Sequence, residues 1–139
     1  MGSYIHDQDL KSRHAQVEAM ISVEMIGYYS DQPGSQHFPV LILRLFYPSA
    51  GNFIATVGDL SNRGLARQVR QSMRSASSIP VYAINGPRLI PVIMVTDTAF
   101  FRSLAYHKHE DTADRLDYEH MGQVVAGLYQ AVLDLANGN

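Results

Sequence analysis

The stretch that decides the fold is Met94-Val-Thr-Asp-Thr-Ala-Phe-Phe-Arg-Ser-Leu-Ala-Tyr-His-Lys-His-Glu-Asp-Thr-Ala-Asp-Arg-Leu-Asp-Tyr118. It continues an apolar run over residues 92–95 that reads as a buried strand, and leaves it at Thr96-Asp97-Thr98. It then carries Tyr106-His107 through a loop rich in imidazole and carboxylate, and ends where Asp117 can cap a final helix. A loop at a strand end lets a rigid sheet hold polar side chains in solvent, which is where α/β proteins build sites.

Working outward, residues 79–84 and 89–95 read as strands joined by the turn Asn85-Gly86-Pro87-Arg88, with Pro91 at a start position that a strand tolerates. Ser61 or Asn62 can cap a helix running to about residue 75, with Leu65, Val69, Met73 and Ala76 as its apolar stripe. Arg63, Arg67, Arg70 and Arg74 share another face; it reads as phosphate contact or as a solvated face whose stems cover apolar surface, and a negative net charge favours the second. Residues 53–57 read as a short strand, and residues 40–46 as a further apolar run that ends at Tyr47-Pro48. Residues 19–26 are almost continuously apolar and stop at Gly27, which fits a strand buried on both faces. Residues 7–18 predict a short leading helix. In the last helix Met121, Val124, Val125, Leu128, Val132 and Leu135 predict one apolar face. The expected fold is a single α/β domain over residues 1–139, with a mixed β-sheet of about five strands flanked by helices. The mixed character follows from the short hairpin-like links.

Bulk composition narrows the class. With 139 residues, 46% hydrophobic and 17% charged, the chain can bury a real core. A net charge of −2 gives no electrostatic case for nucleic acid or an anionic membrane, and no apolar run approaches the ~20 residues of a membrane span. Without cysteine, any metal needs His, Asp or Glu ligands. Met1-Gly2-Ser3 has neither a basic flank nor an apolar run, so a signal peptide is not expected; it reads equally as a vector-derived scar. The expectation is a cytoplasmic protein.

Candidate chemistry lies in few residues. Glu24 is a carboxylate in an apolar run, a costly place unless it is paired, metal-bound or at a strand end facing water. Tyr106-His107 stands near His109, Glu110, Asp111 and Asp114, a loop that suits zinc or is simply hydrated. Asp97 can orient a histidine from behind or cap the loop that follows it. His14, His37 and His120 have no partner by sequence and are expected at the surface. An apolar pocket beside Tyr28, Tyr29 and Phe100 would mark small-ligand binding.

Ile21-Ser-Val-Glu-Met-Ile-Gly-Tyr-Tyr-Ser-Asp-Gln-Pro-Gly-Ser-Gln36 resembles the segment of co-catalytic zinc aminopeptidases (metallopeptidase clan MH, aminopeptidase-type family twenty-eight) in which an acidic residue before Met-Ile-Gly binds metal. Gly51-Asn-Phe-Ile-Ala-Thr-Val-Gly58 resembles their next strand. Pro91-Val-Ile-Met-Val-Thr-Asp-Thr-Ala-Phe100, Tyr106-His107, Glu110-Asp-Thr112 and Leu116-Asp-Tyr118 resemble their closing segment. The resemblance covers residues 19–135 here but only the C-terminal half of the family's catalytic domain. It implies that Glu24 and His107 are ancestral zinc ligands of an incomplete set and that Tyr106 is the ancestral oxyanion stabiliser. It also implies that a histidine, a bridging aspartate and a Glu-Glu pair belong to a half not found in this chain. The family's Ser-Asp-His loop is missing too, since Asn85-Gly-Pro-Arg-Leu-Ile90 runs almost directly into the next strand.

The expected protein is therefore a truncated aminopeptidase-like chain, not catalytic alone, serving as a binding or interaction module or persisting as a stable gene remnant, for example on a mobile gene cassette. Zinc is expected to be absent more readily than present, and a homodimer to cover exposed edges, with a peptide or protein as a further partner. The competing reading is a zinc-dependent aminopeptidase-like hydrolase whose site is completed across the dimer or by a partner chain, with Glu110 or Asp111 recruited as base.

Overall fold

Period-two alternation decides which way each strand faces. In this computed structural model, which describes residues 2–17, 19–59, 63–86 and 93–138, the strands are β1 (Ile21–Val23), β2 (Ile54–Asp59), β3 (Val81–Gly86) and β4 (Ile93–Thr96). The helices are α1 (Gly2–Ser12), α2 (Arg63–Ala76) and α3 (Tyr118–Ala136). Ile54, Val81, Ile93 and Val95 point to one face, where they meet Ala66, Val69 and Met73 of α2 and Val124 and Ala131 of α3 in the main core. The alternate residues Phe53, Val57, Ile84, Met94 and Thr96 line the other face.

The sheet order is β1-β4-β2-β3, with β1/β4 and β2/β3 parallel and β2/β4 antiparallel. The sheet is mixed as expected, but for a different reason. β3 and β4 do not form a hairpin; β4 lies on the far side of β2, and the connecting turn and Pro91 fall largely on residues 87–92, outside the described residues. Because β4 runs against β2, the C-terminal ends of β1 and β4 and the N-terminal ends of β2 and β3 share one end of the sheet.

One predicted strand changes character, and one apolar run takes a form of its own. Residues 19–26 do not form a strand buried on both faces. β1 is a three-residue strand that, among the described residues, pairs only with β4, and Met20 and Val23 are about half exposed. In the apolar run over residues 40–46, Leu41–Leu45 is a 3-10 helix, with the Leu43 and Phe46 amides donating to the Val40 and Leu43 carbonyls. Bounded by Pro39 and Pro48, this run closes local i to i+3 bonds, and only Leu43 turns inward. Four described strands result. The leading helix also begins and ends earlier than predicted, stopping where His14 takes a left-handed conformation (φ 52°).

The predicted caps Ser61 and Asn62 lie outside the described residues. On α2 the buried positions are Ala66, Val69, Ser72 and Met73, with Leu65 half-buried and Ala76 exposed. Arg63, Arg67 and Arg74 are exposed, with Arg70 half-buried. On α3 the buried face is Val124, Gly127 and Ala131, flanked by Leu128 and Leu135, while Val125 and Val132 point outward. Small residues turned toward α2 let the helices come close: a Cβ on Gly127 would lie 3.2 Å from the Met73 Cα. At the far edge of the sheet, the Tyr47 hydroxyl donates to the Ala83 carbonyl of β3 at 2.9 Å. Among the described residues no helix is long and apolar enough to cross a membrane.

Candidate functional site

The shared sheet end gathers the candidate residues. Glu24 follows β1 directly and is exposed, held to the sheet by its own N–H donating to the Val95 carbonyl at 2.9 Å. Its carboxylate lies 3.5 Å from the Ser22 hydroxyl. The burial cost expected for this carboxylate therefore does not arise. Glu24 and Tyr106 line one apolar groove of about 390 Å³, together with Phe38, Leu43, Phe100 and Phe101. His107 is exposed and sets its ring edge-on against Tyr106, 4.2 Å between centroids. Its backbone N–H donates to the Asp111 carboxylate at 3.1 Å, so Asp111 is already engaged in shaping this loop. His109, Glu110 and Asp114 are exposed.

Asp97 is 1% exposed at the end of β4. Its carboxylate accepts the Tyr28 N–H and the Ala99 N–H, both at 2.7 Å, and its own N–H donates to the Met25 carbonyl at 2.7 Å. The carboxylate thus binds the backbone of the loop that follows β4. Burial pushes its carboxyl up to about 6 against the pull of these amides and of Arg102.

One candidate, His107 (φ 58°), and two residues beside candidates, Met25 (φ 55°) and Thr98 (φ 58°), are left-handed without being glycine. For a β-branched threonine this is an outlier, and such strain collects at sites where surrounding structure over-determines the backbone. Nothing in composition or periodicity announces it.

A buried arginine, also missed by sequence reasoning, holds the end together. Arg102 is 6% exposed and donates to Gln36 Oε1 at 2.5 Å, the Phe53 carbonyl at 2.9 Å and the Tyr28 carbonyl at 3.3 Å. Its guanidinium lies 4.5 Å from the Phe53 ring centroid. Burial lowers its pKa to about 10, so it stays charged at neutral pH. Gln36 also accepts from the strained Thr98 hydroxyl at 3.2 Å.

His120 departs from expectation. Its Nδ1 lies 2.7 Å from the Asp117 carboxylate, and its ring stacks on Tyr29 at 4.7 Å. Asp117 caps α3 as predicted, accepting the His120 N–H at 3.0 Å. His14 and His37 are exposed. Of the expected pocket residues, Phe100 lines the groove, Tyr28 lines a separate pocket of about 300 Å³ with Asp97 and Asp111, and Tyr29 packs against the core.

A zinc site takes three or four protein ligands. Among the described residues no three His, Asp or Glu side chains converge to hold a metal. Glu24 and His107 are two donors, so the described residues do not by themselves fit the ion.

This architecture, with strand ends feeding a groove and a polar loop, is part of an aminopeptidase-like α/β fold. The LapA aminopeptidase of Legionella pneumophila, in two structures, matches with a TM-score of 0.62 and 19% identity over 93% of this chain and 34% of LapA. At that identity the likeness shows the fold. By sequence, uncharacterized protein YfbL of Escherichia coli strain K12 is 41% identical over 144 residues, covering 92% of this chain and 44% of YfbL. The chain thus spans less than half of that relative. No protein-family profile matches it.

Proposed function

We propose that the chain is an aminopeptidase-like α/β unit that works as a binding or interaction module and does not hydrolyse peptides by itself, a truncated relative or stable remnant of such enzymes. One observation carries this reading: α3 is apolar on both sides. Beyond its buried face, Tyr118, Gly122, Val125, Tyr129, Val132 and Ala136 recur at alternating spacings of four and three and are all exposed. A second apolar stripe on a helix already buried on one face is normally covered as well, and this spacing is the one helices use to pair. The same face continues past Val132 into a hollow with Leu10, Val17 and Ile21. A second copy of the chain, pairing α3 to α3, is the proposed cover, in the cytoplasm. The two exposed donors Glu24 and His107 support the lack of independent activity. Size-exclusion chromatography with light scattering should give a dimer for the wild type and a monomer for Tyr129→Glu; a wild-type monomer at micromolar concentration would sink the dimer.

The second reading is a zinc-dependent aminopeptidase-like hydrolase completed across the dimer or by a partner chain. It is favoured by Glu24 and Tyr106 sharing one apolar groove whose rim lies open. Glu24 at the groove and His107 beside Tyr106 would hold zinc only with further ligands from the partner, and zinc would supply a Lewis acid for a peptide carbonyl. Tyr106 would donate to the oxygen on which charge develops. Aminopeptidase turnover lost with chelator and with Glu24→Ala would support it; turnover that survives both would remove it.

A further inference from the structure

We propose that Asp97 is a positioning residue that locks the arm carrying Glu24 to the arm carrying Tyr106, so that the two candidate site residues move as one body. The inference rests on the reading of Glu24 and Tyr106 as site residues, and it extends that reading from side chains to the joint behind them.

The joint has two sides. Toward Glu24, the Asp97 N–H holds the Met25 carbonyl and the carboxylate holds the Tyr28 N–H, so two points of the segment after β1 are tied to one residue. Toward Tyr106, the same carboxylate holds the Ala99 N–H, the Ala99 carbonyl accepts the Ser103 N–H at 2.7 Å, and the Ser103 carbonyl accepts the Tyr106 N–H at 3.4 Å. Each side begins with a left-handed residue, Met25 on one and Thr98 on the other. The one buried carboxylate accepts the Tyr28 N–H from one arm and the Ala99 N–H from the other, each next to a stretch of unfavoured backbone, so it is the side chain common to both bends. Without that carboxylate the Tyr28 and Ala99 amides lose their shared acceptor, and the spacing of Glu24 and Tyr106 across the groove is no longer fixed by it.

The groups that face this carboxylate are Arg102, following the 3-10 turn Ala99–Phe101, and Tyr29, following β1. Asp111, Arg115 and Tyr106 share its pocket, and Asp117 from the start of α3 acts on Tyr29. None of them replaces Asp97 as acceptor for the Tyr28 and Ala99 amides.

The test needs neither zinc nor substrate, so it can fail while the functional reading stands, and the reverse. Backbone amide spectra of the full chain are recorded from neutral to mildly acid pH in a His107→Gln background, which silences the imidazole next to Tyr106. The amides of Tyr28, Ala99, Glu24 and Tyr106 should shift through one shared midpoint, with those of Val69 and Val124 unmoved. Adding Asp97→Asn should abolish that shared transition. Glu24 and Tyr106 amides that stay flat, or follow separate midpoints, overturn the proposal, as does a shared transition that persists in Asp97→Asn. Should that variant not fold, the titration with Asp97 in place decides alone.

Discussion

Gly127 of α3 lies against Met73 of α2 so closely that a Cβ there would stand 3.2 Å from the Met73 Cα and 3.3 Å from its carbonyl oxygen. The obstacle is backbone, which cannot swing aside as a side-chain tip can. Gly127→Ala should gain about 1 kcal/mol in helix propensity but lose more by forcing the helices apart, about 1–3 kcal/mol. A net loss of roughly 1 kcal/mol is expected in urea midpoints, and a more stable variant would refute the close approach.

Arg102 satisfies carbonyls from two separate segments, Tyr28 and Phe53, while packing over the Phe53 ring. Arg102→Met keeps much of the volume but leaves both carbonyls short of a donor in a buried place, each costing about 1–3 kcal/mol. A loss of about 3 kcal/mol or more is expected by chemical denaturation. Gly51→Ala should reproduce part of it, because the added Cβ would meet Arg102 Cδ at 2.8 Å.

The Asp97 carboxyl sits at about 6 in the folded chain against an ordinary value of 3.8. The folded state therefore binds this proton more tightly than the unfolded chain does. Its contribution to stability grows as pH falls from 6 toward 3.8, is constant below that, and is lost as pH rises through 6. Asp97→Asn, neutral throughout, removes the dependence. The stability difference between wild type and variant should shift toward wild type on the acid side of this window; a difference constant from pH 4 to pH 7 would contradict the assignment.

Asp117 has the opposite sign. The His120 N–H it accepts holds its carboxyl below the usual range, so its capping contribution is present at neutral pH and fades as acid protonates it. Asp117→Ala should cost about 1 kcal/mol near neutrality and less at low pH. Equal penalties at both ends would show that the cap acts without its charge.

What could be read in advance follows from which forces leave a local trace. The strand at Ile93–Thr96, the amphipathic α2 and the Asp117 cap each depend on near neighbours in sequence, and each was legible. The fate of residues 40–46 was not, because an apolar run looks the same whether or not a sheet edge is free to receive it. Nor was the α3 face, since Gly127 and Ala131 carry little hydrophobic signal yet set how near α2 can come. Of the candidates singled out from strand-end and loop positions, Glu24 and Tyr106 line one groove and Asp97 lies buried at the end of β4. Arg102 and the left-handed Thr98 were invisible, because their partners lie up to 74 residues away or in backbone angles.

The hydroxyl of Tyr47 on the Ala83 carbonyl has a consequence for how this chain behaves in a crowd. β3 is an outer strand six residues long, and an outer strand with free carbonyls is a template on which another chain can add itself. Tyr47 occupies one of those carbonyls, and its ring, 6.0 Å from that of Tyr82, stands beside the ladder where an incoming strand would lie. A phenol from a non-strand segment thus serves as a guard against fibre growth, and Tyr47→Phe should shorten the lag before aggregation at high concentration even where the folded state itself is scarcely weakened.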